Sequence, residues 1–99
     1  MQSNNKKFLK VTYLGETKRL KVVKDYPTLV QLAREAFPEQ ELPKVIKFFY
    51  LDDENEIISI NSQSDLNEAL DIEDLSSLKL TLAGSVIDAR KQLERNISE

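Results

Sequence analysis

Two kinds of apolar spacing alternate along the chain. Leu9, Val11 and Tyr13 alternate with Phe8, Lys10 and Thr12. This is the period of a half-buried strand. Gly15 marks a turn over Leu14 to Thr17, and Leu20 and Val22 then alternate with Arg19, Lys21 and Val23. So short a link predicts an antiparallel hairpin. Asp25-Tyr26-Pro27 ends that strand, and Thr28 is placed to cap a helix over Leu29 to Phe37. Leu29, Leu32, Ala33, Ala36 and Phe37 form its apolar stripe, and Pro38 closes it. After Pro43 come an apolar strand, Val45 to Leu51, a turn, Asp52 to Asn55, and a short strand, Glu56 to Ile60. Asn61 to Ser64 offers caps for a short helix over Asp65 to Leu70, and Leu78, Leu80 and Leu82 form a last strand. The order ββαββαβ predicts an α+β domain, a mixed sheet with a helix packed across one face.

The 99 residues suffice for one modest core. The segment 6–84 reads as a single domain. In 85–99, Val86, Ala89, Leu93 and Ile97 fall roughly on one face, which fits either an extra C-terminal helix or the start of a linker. Cysteine and histidine are both absent. Thiolate nucleophiles, disulfides, imidazole bases and Cys/His zinc sites are therefore excluded. No Gly-rich phosphate loop or nucleophile elbow occurs, so no catalytic residue, enzyme activity or cofactor is expected. No apolar run approaches a membrane span, and Met1 to Lys7 is too polar for a signal peptide. The expectation is a soluble, cytoplasmic domain that touches no membrane.

The net charge of -3 conceals a strong segregation. Residues 1–24 carry seven Lys or Arg against Glu16 alone, whereas residues 52–78 carry nine Asp or Glu and no base. The sharpest cluster is Asp52, Asp53, Glu54 and Glu56, followed by Asp65 in the next helix. Four carboxylates within five residues repel one another. Three readings follow: a solvated turn, a hard-cation site, or half of a protein interface. The second lacks the glycine and terminal glutamate spacing of a calcium loop, and no metal ligand is assigned. The complementary cluster is Lys10 and Arg19, pointing away from the core, flanked by Lys18 or Lys21. A basic patch can also bind nucleic acid, but an isoelectric point near 5.0 and the lack of a stacking-aromatic pattern argue against that.

The segment Phe48 to Leu70, FFYLDDENEIISINSQSDLNEAL, resembles the acidic OPCA motif of PB1 domains: an aromatic, alternating Asp/Glu, a hydrophobic strand and a Ser/Asp-rich helix start. The block from Tyr50 to Leu70 is most similar to that of autophagy-receptor PB1 domains. Leu9 to Gly15, LKVTYLG, resembles the family's first strand, with Lys10 at the basic position. The resemblance covers about residues 6–84. It implies a ubiquitin-like β-grasp and a protein-interaction role in a signalling or autophagy scaffold, with another PB1 domain as partner. Such domains pair front to back, an acidic surface against a basic one. Here these would be Asp52, Glu54 and Glu56, supported by Asp53 and Asp65, against Lys10 with Arg19 and Lys18 or Lys21. Two departures stand out: Asn55 where Gly is common, and Glu56 where Asp is common. The implied assembly is a head-to-tail homo- or hetero-oligomer; the alternatives are an acidic-face-only domain binding one basic PB1 partner, or a ubiquitin-like domain with another protein partner. The chain ends Ile97-Ser98-Glu99 without the Gly-Gly tail of a conjugated modifier.

Overall fold

The computed structural model describes residues 8–71 and 77–97. Lys6 and Lys7 of the basic segment, Glu73 and Asp74 of the acidic one, and Ser98 and Glu99 lie outside them. The elements are β1 (Phe8–Tyr13), β2 (Glu16–Lys21), α1 (Tyr26–Ala36), β3 (Lys47–Leu51), β4 (Ile57–Ile60), α2 (Gln63–Leu70), β5 (Ser77–Ala83) and α3 (Val86–Ile97). One five-stranded sheet has the order β2-β1-β5-β3-β4. β1 and β5 run parallel at its centre, and the other pairs are antiparallel. This is the mixed sheet and α+β class that the apolar pattern predicts.

The alternation of each strand decides which face it buries. Leu9, Val11, Leu78, Leu80, Leu82, Phe48 and Ile60 point to one side, where they meet Leu29, Ala33 and Phe37 from α1 and its end, and Leu66 and Ala69 from α2. Tyr13 packs edge-on against Phe37 at 6.0 Å, and Tyr26 against Phe48 at 6.3 Å. α1 begins earlier than the expected Leu29. Its N-cap is Asp25, whose carboxylate accepts from the Thr28 amide at 3.1 Å and the Thr28 hydroxyl at 2.7 Å. Pro27 falls in the first helical turn, where a missing N–H costs nothing, and so opens the helix rather than ending a strand. Phe37, before Pro38, closes it. α2 starts at Gln63 with Ser62 as its cap, inside the expected window.

The opposite, outer face carries Phe8, Lys10, Thr12, Lys79, Thr81, Ala83, Phe49 and Ile57. α3 lies against part of it. Ala89 packs with Phe49, Ala83 and Ile57 in a second, small core. Gln92 donates to the Leu82 carbonyl at 2.8 Å and accepts from the Leu14 amide at 2.9 Å. Residues 86–97 are thus helical and tied to the sheet. No helix among the described residues is long and apolar enough to cross a membrane.

The β1–β2 turn uses Leu14 at φ 50 and Gly15 at φ 90. Both central residues of such a turn need positive φ, which suits Gly but strains Leu. Leu14 is 56% exposed, so little packing depends on its side chain. Leu14→Asn should raise stability by about 0.5–1 kcal/mol, since Asn tolerates this conformation. Urea unfolding would read the change as a higher midpoint at constant slope; an unchanged or lower midpoint would contradict it.

Candidate interaction surfaces

The acidic turn is built by Asp52. Its amide donates to the Glu56 carbonyl at 3.0 Å, and its carbonyl accepts from the Asn55 amide at 2.9 Å. Its carboxylate oxygen Oδ1 accepts from the amides of Glu54 and Glu56, each at 2.9 Å. Asn55 takes φ 63, a left-handed conformation that Asn adopts readily. That is why a glycine is dispensable here. The folded loop brings one carboxylate oxygen each from Asp52, Glu54 and Glu56 within 4.8 Å of one another. Asp53, Glu54 and Glu56 are exposed, and Asp52 is half-buried. Three carboxylates could contribute oxygens to a hard cation, yet calcium takes six to eight ligands. One Asp52 oxygen is already committed to two amides.

A second acidic group adjoins the first through Tyr50. The Tyr50 phenol is pushed above its usual pKa, first by burial and then by Asp52, Glu68 and Asp65. Tyr26 is raised by burial and by Asp65. The turn and α2 therefore form one negative field around Tyr50. Asp65 sits in the first turn of α2 and accepts from the Asn61 amide at 3.2 Å. Glu68 was not among the expected site residues. Its position three after Asp65 on the same helix is the signal that could have found it.

The basic residues occupy the other edge of the sheet. Lys10 stands directly opposite Arg19, and Lys21 opposite Phe8, on the outer face. The Arg19 guanidinium lies 4.4 Å from the Phe8 ring centre, and the Lys10 ammonium 5.9 Å from it. This aromatic platform holds Arg19 in place. Lys18 does not join them. It pairs with Val11 on the helix-covered face and forms an ion pair with Glu16 at 3.3 Å. Its parity, shared with Leu20, is the reason. Lys79 of β5 instead lies beside Lys10. The Lys18–Glu16 ion pair lies on the helix-covered face, away from this cluster. Hence, among the described residues, no base of the outer face forms an ion pair with the acidic turn.

Because a raised phenol pKa favours the protonated folded form, Tyr50 contributes stability that is fully present below pH 10 and is lost as the pH rises through its folded value. Asp52→Asn should move the Tyr50 midpoint down towards 10 without reaching it, since burial is the larger cause. The Tyr50 ring carbon followed by NMR during an alkaline titration would show this. An unmoved midpoint would mean that the turn's charge does not reach Tyr50.

Comparison with known proteins supplies the family. The PB1 domain family model matches residues 7–85. No curated protein matches the chain. Among solved structures, the AtNBR1-PB1 domain superposes with a TM-score of 0.65 at 16% identity, covering 84% of this chain and 100% of that one. At that identity the likeness shows a shared fold. The family match spans most of the chain, including both charged surfaces, and PB1 domains are interaction modules rather than enzymes. The chain belongs to the PB1 domain family.

Proposed function

We propose that this domain associates front to back, the acidic turn of one copy docking on the basic outer face of the next. The observation that carries the reading is the placement of two opposite, internally unmatched charge clusters on opposite edges of one small sheet. Surfaces so separated cannot neutralise each other within a monomer, but they can between neighbours. The contact is then heterologous, and it propagates unless it closes. Asp52, Glu54 and Glu56 form the acidic side, supported by Asp53 and Asp65. Lys10, Arg19 and Lys21 form the basic side. Each exposed pair contributes only ~0.2–1 kcal/mol, so several must act together. A cytoplasmic signalling or autophagy scaffold is the setting such a repeating contact suits.

Two variants separate the surfaces. Lys10→Ala/Arg19→Ala removes the two facing cations at the centre of the basic face. Asp52→Asn/Glu54→Gln/Glu56→Gln removes the acidic charge, with the Asn oxygen still able to accept from the turn amides. Light scattering at low salt should show wild-type oligomers that dissociate as salt rises, because screening shortens to roughly 8 Å at physiological strength. Each variant alone should be monomeric, and their mixture should form a dimer and grow no further. Wild-type protein that stays monomeric at high concentration and low salt would overturn self-association. If a separate basic PB1 domain then bound it through the acidic turn alone, the acidic-face-only reading would replace it.

A further inference from the structure

Arg19, Lys10 and Lys79 form a transverse row across β2, β1 and β5. Register places Lys10 opposite Arg19 on one side and beside Lys79 on the other. Like charges on adjacent strands repel and lower stability. None of the three has a carboxylate partner among the described residues, and the Lys18–Glu16 ion pair is on the other sheet face. Arg19 at least rests on Phe8; Lys79 is exposed and has no such platform. Beyond Lys79 on the same face, Thr81 and Ala83 are buried, and the neighbouring Phe49 and Ala83 pack under Ala89 of α3. Three cations without a carboxylate partner among the described residues thus line the outer face across two strand spacings, roughly 10 Å.

A further cation there gives the acidic surface an additional partner, and that surface has more than the turn to offer, since Asp65 and Glu68 stand one turn apart on α2. The negative field of this chain is not confined to Asp52, Glu54 and Glu56; it continues around Tyr50 to Asp65 and Glu68. Resting on the front-to-back reading, we propose that Lys79 is a further anchoring cation of the basic face, beside Lys10, Arg19 and Lys21, recruited to the acidic surface of a second copy of this chain. It sets affinity and favours partners whose acidic surface extends beyond a single turn.

The test uses the capped dimer. The acidic-face variant Asp52→Asn/Glu54→Gln/Glu56→Gln retains a complete basic face and is titrated calorimetrically with Lys10→Ala/Arg19→Ala, which retains the acidic one. Lys79→Gln is then added to the first partner, and Lys18→Gln to a parallel sample. Both remove one positive charge, on opposite faces of the sheet. Lys79→Gln should weaken binding about three-fold or more and flatten its salt dependence, whereas Lys18→Gln should leave both nearly unchanged. Lys79→Arg should restore the affinity, and thermal melts confirm that each variant is folded. If the capped pair binds but Lys79→Gln leaves its affinity unchanged, the assignment of Lys79 is wrong and the front-to-back contact stands. Equal losses from Lys79→Gln and Lys18→Gln would also overturn it, as an effect of net charge alone. If the capped pair does not bind at all, both readings fall together.

Discussion

The parallel pairing of β1 with β5 is the contact on which the rest of the molecule depends. Antiparallel hairpins need only a tight turn, but parallel neighbours need a long crossover. Here the connection between them contains α1, the β3–β4 hairpin and α2. Placing β5 between the two hairpins drives them to opposite edges of the sheet. The basic hairpin and the acidic turn are thereby kept apart. The same pairing aligns Leu9 with Leu78 and Val11 with Leu80, so the core closes and the outer face acquires its alignment of lysines in one step.

Both charged surfaces are kept at some cost in stability. Carboxylates crowd one turn and cations oppose one another across strands, and each arrangement repels within the monomer. The fold tolerates this by building its support from neutral interactions. Two backbone amides hold Asp52, and an aromatic ring supports Arg19. Neither device neutralises charge, so the supported group remains able to meet an opposite charge from outside. A salt-bridged surface would be more stable alone and less receptive.

Much of the fold was legible in the sequence because apolar parity is a local property. Leu9, Val11 and Tyr13 could only face one way together, and the helix stripe from Leu29 to Phe37 needed no partner to be recognised. The start of α1 was misread because Pro27 both ends strands and opens helices; only the cap geometry of Asp25 distinguishes these. On the basic face, Lys10 and Arg19 follow from alternation, with Lys18 or Lys21 open as the flanking residue. Lys18 shares the face of Leu20, so strand parity separates it from this cluster and leaves Lys21 as the flank. Lys79 is different in kind. Its proximity to Lys10 depends on which strand lies beside β1, a fact that no local pattern contains. Glu68 lies between these cases: helical spacing puts it near Asp65, while its link to the acidic turn runs through Tyr50.

α3 also bears on where the folding unit ends. The family match stops at residue 85, one residue before this helix. Phe49 and Ala83 are nonetheless almost fully buried, and they share a small core with Ala89. A fragment cut at the family boundary would bare the Phe49 ring on the outer sheet face and remove the side chain that bonds the Leu82 carbonyl. Such a freshly exposed ring is a ready seed for nonspecific adhesion. Clumping of a shortened fragment would then reflect the missing cover, not the native contacts of the domain.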